Sequence, residues 1–118
     1  MLDSRAQPML MLRSTGARSG KLRETPVATV PVDGDRFLVV GSNFARETHP
    51  AWTHNLLANP DASIIFRGTK IRVTARLLDG DERAARWPEL LKWYPAWADY
   101  TEVTHREFRI FELDPRHG

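Results

Sequence analysis

Twice along the chain a run rich in β-branched and aromatic residues meets a glycine turn, and a second such run leads back out. The first is "ETPVATVPVDGDRFLVVGS" from Glu24 to Ser42 and the second "ASIIFRGTKIRVTARLLD" from Ala62 to Asp79. Such pairs favour antiparallel hairpins, because a short turn returns the chain beside the strand it has just left. The turns are expected at Asp33-Gly34-Asp35 and at Gly68-Thr69. In the second hairpin Ile71, Val73, Ala75 and Leu77 alternate with Arg72, Thr74 and Arg76, the pattern of a half-buried strand. Pro26 and Pro31 confine their strand to an edge or to bulged positions, since neither has an amide to give a ladder.

The remaining segments fit around these hairpins. "PMLMLRS" is too short for three helical turns and reads as a buried strand. Pro50 suits a first helical position, Trp52, Leu56 and Leu57 are expected on the buried face, and Asn59-Pro60 stops the helix. The longest helical segment, "GDERAARWPELLKWYPAWADY", has Asp81 and Glu82 favourably placed at its start. Pro88 is expected to kink or divide it and Pro95 to end it. "REFRIFELDP" closes the chain, with Phe108, Ile110 and Leu113 as core residues whose uneven spacing implies a bulge. The order β-β-β-α-β-β-α-β does not suit a doubly wound parallel sheet. It predicts a mostly β fold with α (α+β): an antiparallel sheet or small barrel with helices packed outside, one domain over residues 1–118.

Composition removes several function classes. The absence of cysteine excludes a disulfide frame, a thiolate nucleophile, a zinc ribbon and an iron–sulfur site. Apolar runs such as "MLML" and "FLVV" are far too short to span a bilayer and no signal core is visible, so the expectation is a soluble, cytoplasmic protein. A net charge of +2 gives a weak overall field, but its distribution is uneven. Between Ser4 and Arg23 there is no acid, while Arg5, Arg13, Arg18, Lys21 and Arg23 are all cationic.

Within that stretch "TGARSGKLR" has two readings. Gly16 and Gly20 would let backbone amides approach an anion while Arg18, Lys21 and Arg23 add charge-assisted bonds to phosphate oxygens; equally, a basic hairpin turn can simply be solvated. Nucleic acid is not the expected partner, because no zinc finger, RNP-like motif or basic helix accompanies the patch. His49 and His54, five apart across a helix start, do not share a helical face, so no metal site is expected. Ser19 lacks the strand-to-helix setting of a hydrolase nucleophile elbow. Trp87, Trp93, Tyr94, Trp97 and Tyr100 form a dense aromatic run that reads either as packing or as the lid of a flat ring-binding pocket. Residue chemistry alone reaches a small antiparallel domain suited to an anionic, partly aromatic ligand.

Taken in order, "STGARSGKLRETPV", "DGDRFLVVGSN", "HPAWTHNLLANPD" and "LLKWYPAWADY" resemble the deazaflavin (coenzyme F420)-dependent nitroreductase family of actinobacteria, from Leu10 to about Pro115. The resemblance implies an FMN-binding-like split β-barrel. It also implies coenzyme F420, an 8-hydroxy-5-deazaflavin with a phosphodiester and polyglutamate tail, as cofactor, with FMN as the alternative ligand. By the same match Arg18, Ser19 and Arg23 hold the tail, and the cofactor-binding set continues along Glu24, Thr25, Pro26 and Val27. Val40, Gly41, Ser42 and Asn43 fall where a strand end meets the deazaflavin, and Ala51, Trp52, Thr53, His54 and Asn55 where the next helix starts beside it. Tyr94 and Tyr100 match substrate-side tyrosines and become the catalytic candidates, while Trp97 stands where the nitroreductase has a third tyrosine. Ala28 also replaces a tyrosine, and Ala17 a basic residue of the tail loop. The implied activity is hydride transfer from reduced F420 to a small-molecule acceptor: a quinone, an enone or a nitroaromatic compound. A noncatalytic F420-storage protein and an FMN-binding barrel are the alternatives. A monomer and a homodimer both fit, and membrane association stays open without a sequence feature that supports it.

Overall fold

The computed structural model describes residues 8–41, 49–95, 97–98 and 108–116. The elements run β1 (Met9–Thr15), β2 (Leu22–Val32), β3 (Arg36–Gly41), α1 (Ala51–Ala58), β4 (Asp61–Phe66), β5 (Thr69–Leu77), α2 (Gly80–Trp93) and β6 (Arg109–Pro115). This is the order the sequence predicts. The six strands form a closed antiparallel barrel in the order β1-β2-β3-β6-β5-β4, the last pairing back onto the first through Leu12 opposite Ile64. Closure leaves no free sheet edge, the usual liability of a small β protein.

Alternation sorts the apolar residues into two cores. Leu10, Leu12, Val27, Phe37, Val39, Ile64, Val73, Phe111 and Leu113 point into the barrel, where Trp52 and Leu56 of α1 join them. Val30, Val32, Leu38, Val40 and Ile110 point outwards and are covered by Leu90 of α2, together with Leu78, Trp97 and Phe108. Each of β2, β3 and β6 thus contributes to both cores.

Prolines in a closed barrel need an explanation, and the register supplies one. Below Ala28 the β2 strand pairs with β1, and from Thr29 onward with β3. Thr29 donates its amide to Pro8 on the β1 side, so alternation turns Pro31 to that side and Pro26 to the other. In each case the missing amide faces the side on which, among the described residues, no ladder partner stands. Among the described residues both prolines thus stand at locally unpaired positions within a central strand.

Several expectations need correction. The second hairpin turns at Arg67-Gly68 rather than Gly68-Thr69: both have positive φ, 51° and 81°, the two-residue turn whose twist matches the flanking strands. Pro50 is the N-cap, one residue before the helix. Pro88 does not divide α2, which runs unbroken from Gly80 to Trp93. Leu77 is exposed because it lies at the end of β5, past the interior residues Val73 and Ala75. Leu57 is 44% exposed, since five residues on from Trp52 is well round the helix whereas Leu56, four on, shares its face. The β6 bulge is absent: Phe37 to Gly41 pair without interruption with Leu113 to Arg109. The uneven apolar spacing of β6 arises because both its faces are buried, not because its backbone slips.

Glu112 belongs to the outward face of β6 and is only 2% exposed. Arg76 of β5 donates to it at 2.8 Å and Arg86 of α2 at 3.4 Å; Arg76 also binds Glu82, and Arg86 binds Asp33 at 2.6 Å. The network ties α2 to the barrel wall. Burial opposes ionisation of Glu112, but hydrogen bonds with Asp114 and Arg76 and the charges of Arg76 and Arg36 overcome it, so its carboxyl is held below its ordinary range. Asp114 moves upward, through burial and its hydrogen bond with Glu112. The signs are therefore opposite. Stability from Glu112 is complete above its unfolded pKa of about 4.3 and is lost as pH falls through the folded value; that from Asp114 is complete at low pH and is lost as pH rises through its raised value. Glu112→Gln should cost about 1–3 kcal/mol at pH 7, with the deficit shrinking at about pH 4 and below. Urea unfolding of both proteins at the two pH values checks the magnitude and the sign.

Candidate functional site

A cleft of about 1130 Å³ opens at the end of the barrel beside α1, between that helix and the loop joining β1 to β2. Its lining combines Gly16, Ala17, Arg18, Ser19, Leu22, Arg23, Glu24 and Thr25 with Ala51, Trp52, His54, Asn55, Leu57 and Ala58. Arg23 and Thr25 share the interior-facing parity of Val27, one step short of the packed core. From the helix, Ala51, His54, Asn55 and Ala58 recur at spacings of three and four, so they form one face towards the loop.

The loop is held from within. Gly16 donates its amide to the Lys21 carbonyl at 2.8 Å, and Gly20, with φ of 70°, donates to Gly16 at 3.0 Å. Lys21 donates to Ser19 Oγ at 3.1 Å, and Ala17 to Asn55 Oδ1 on α1 at 2.9 Å. Gly16 cannot be replaced freely, since a Cβ there would lie 2.6 Å from Ser19 Oγ. These bonds narrow the amide-cradle expectation to the loop tip: the amides of Gly16, Ala17, Gly20 and Lys21 are committed inside the protein. Side chains add the charged donors for an anion.

The charges are arranged for that. Glu24, the acid on the lining, is joined at 2.9 Å to Arg13, which faces it across the β1–β2 ladder. Arg18 and Arg23 form no ion pair among the described residues, so the cleft carries uncompensated positive charge beside the indole of Trp52 and the aliphatic Leu22 and Leu57. It offers charge-assisted donors to phosphate or carboxylate oxygens and an apolar wall to a ring.

Arg18, Ser19, Arg23, Glu24, Thr25, Ala51, Trp52, His54 and Asn55 of the sequence-derived set thus line one cleft. The others do not. Val27 is packed in the barrel interior and Val40 in the outer core, and Pro26 is outside the lining. Gly41 and Thr53 meet beneath the cleft: a Cβ on Gly41 would lie 2.6 Å from Thr53 Cγ2, and the fully buried Thr53 donates its hydroxyl to Pro50 at 2.8 Å. Tyr94 and Trp97 stack at 4.3 Å on the outer core under α2, away from the lining. The Tyr94 hydroxyl is buried with no hydrogen-bond partner among the described residues, and burial pushes its pKa up to about 12. Ser42, Asn43 and Tyr100 lie outside the described residues. Sequence reasoning missed Leu22, Leu57 and Ala58; the helical spacing from Ala51 would have found Ala58.

Comparison with known proteins bears on this site. The model of the F420H2-dependent quinone reductase family matches residues 3–115. An F420H2-dependent quinone reductase of Mycobacterium tuberculosis is 41% identical over 71 residues, 60% of this chain and 47% of the relative; the match spans about half the length of such curated relatives. A solved F420H2-dependent reductase, FDR-A, superposes with a TM-score of 0.81 at 32% identity, over 91% of this chain and 94% of that one. A structure described as a domain-swapped dimer gives a TM-score of 0.82 at 31% identity, over 96% and 84%. The haem storage protein HutZ of Vibrio cholerae, at 14% identity and a TM-score of 0.70 over 97% and 85%, shares the fold alone.

The bond from Ala17 to Asn55 is the described side-chain link from loop to helix. Asn55→Ala should raise amide hydrogen exchange of Ala17 by about tenfold while leaving the β1–β4 ladder unchanged, as measured by exchange mass spectrometry.

Proposed function

Because the chain belongs to the F420H2-dependent quinone reductase family, we propose that it is a reductase that takes coenzyme F420 into the cleft between α1 and the β1–β2 loop and reduces a small organic acceptor. The observation that carries the reading is a pair of arginines, Arg18 and Arg23, with no ion-pair partner among the described residues, on a cleft whose acid is already neutralised by Arg13. The cofactor fits that donor set. Its phosphodiester and polyglutamate tail meets Arg18, Arg23 and the Ser19 hydroxyl, while Trp52 and Ala51 supply an apolar surface for the ring. When bound, reduced F420 supplies a hydride from its ring C5. The protein's contribution is to orient the ring and acceptor at close approach, about 3–3.5 Å, and to keep water from the reacting atoms.

The acceptor is a quinone in the first instance, with an enone or a nitroaromatic compound as the further candidates. The family resemblance gives Tyr94 as the acceptor-side donor, whereas its hydroxyl lies under α2, away from the cleft lining, buried and without a partner among the described residues. Burial, which pushes its pKa up to about 12, keeps it a neutral phenol, and substitution separates a donor's role from a packing one.

Titration with oxidised F420, followed by tryptophan quenching at low and moderate salt, tests the cofactor assignment. Saturable binding that weakens with salt is expected, with Arg18→Ala and Arg23→Ala each losing roughly 10-fold in affinity. FMN, with one terminal phosphate, should bind more weakly; FMN binding without F420 binding would overturn the assignment.

Tyr94→Phe separates the tyrosine's chemical role from its packing. Removing an unpartnered buried hydroxyl should leave stability unchanged or raise it by up to about 1 kcal/mol, while quinone reduction slows by roughly 10²-fold. Thermal unfolding and stopped-flow oxidation of F420H2 read the two quantities, and unchanged turnover would remove Tyr94 from the mechanism.

A further inference from the structure

Arg109, which no motif in the sequence singles out, opens β6 directly across the ladder from Gly41. Alternate residues count back from Leu113 and Phe111, both inside the barrel, so Arg109 has interior parity at the end α1 covers. The missing side chain at Gly41 lets the helix come that close. Across this contact Arg109 Nη1 donates to Thr53 Oγ1 at 3.1 Å and lies 3.2 Å from His54 Nδ1. Thr53 donates its own hydroxyl to the Pro50 carbonyl at 2.8 Å, leaving its lone pairs to the guanidinium. The two hydrogens on Nη1 suffice for both contacts.

A guanidinium has donors only, so a ring nitrogen at hydrogen-bond distance from it must accept. With Nδ1 accepting, the proton of the neutral imidazole resides on Nε2. His54 also meets the His49 ring edge-on, centroids 6.1 Å apart, and it lines the cleft. We propose that Arg109 is a positioning residue: by binding Thr53 and His54 together it fixes His54 as an Nε2–H donor on the cleft wall for an oxygen of the bound ligand. The ligand half rests on the F420 reading. Arg18 and Arg23 already serve anionic oxygens, and a neutral N–H of fixed direction suits an uncharged carbonyl or hydroxyl oxygen of the same molecule.

Two measurements test this. Long-range 1H–15N spectra of the ligand-free protein report the ring tautomer. His54 should be Nε2–H in the wild type, a tautomer mixture in Arg109→Met, and again Nε2–H in Arg109→Lys, which restores a cationic donor. A wild-type ring protonated on Nδ1 would overturn the proposal whether or not F420 binds. The second is a double-mutant cycle on F420 affinity. His54→Ala and Arg109→Met should each weaken binding by roughly five- to tenfold, the scale of one hydrogen bond, and the double variant no further than His54→Ala alone. Additive losses would show that Arg109 does not act through His54. If the wild type binds no F420, the cofactor reading and the ligand half fall together, while the tautomer still decides the positioning role.

Discussion

Strand β6 lies between β3 and β5, and nearly everything else in the structure takes its position from that insertion. It comes last of the described strands, yet it closes the barrel between β3 and β5, whose hairpins are already joined on the other side by β1. Its residues then divide four tasks: Phe111 and Leu113 fill the interior, Ile110 with the preceding Phe108 receives the outer core, Glu112 binds the arginines of β5 and α2, and Arg109 reaches α1. A strand with both faces buried has no solvent side on which to carry polar residues. Where β6 carries a charge on a covered face it is therefore met by partners, and Glu112 has three arginines within reach.

The site inherits its geometry from the same closure. The barrel end is open enough for α1 to insert Trp52 and Leu56, which leaves the other side of the helix facing the β1–β2 loop. The loop is stiffened by its own amides and by Asn55, so its arginines are held near the cleft while its backbone has little left to offer a ligand. Recognition of an anion then depends on guanidinium groups. Recognition by charge is sensitive to salt, because a charge attracts at a distance whereas an amide cradle demands a fitted phosphate.

Much of the fold was legible because local chemistry and tertiary demand agreed. Glycine turns, alternation and the helix stops at Asn59-Pro60 and Pro95 predict all eight elements in order. One error arose because a face assumed to be exposed was covered by something distant in sequence. The β6 spacing looked like a bulge because α2 covers the second face, and of the two readings of the aromatic run, packing holds for Trp97, only 6% exposed in the outer core. The candidate set behaved likewise. Residues adjacent in the loop or on α1 came together, but matched strand residues such as Val27 and Val40 face the two cores.

By itself the sequence determined the antiparallel hairpins, the element order, the lack of cysteine chemistry and the acid-free basic loop, since each depends on neighbours within a few residues. Only the tertiary structure decided which strand closes the barrel, that four of the loop amides are already spent, and that Arg109 meets His54 from 55 positions away. Those outcomes depend on which groups compete for the same donor or the same buried face. Such competition is settled when distant segments pack, and no local pattern records it.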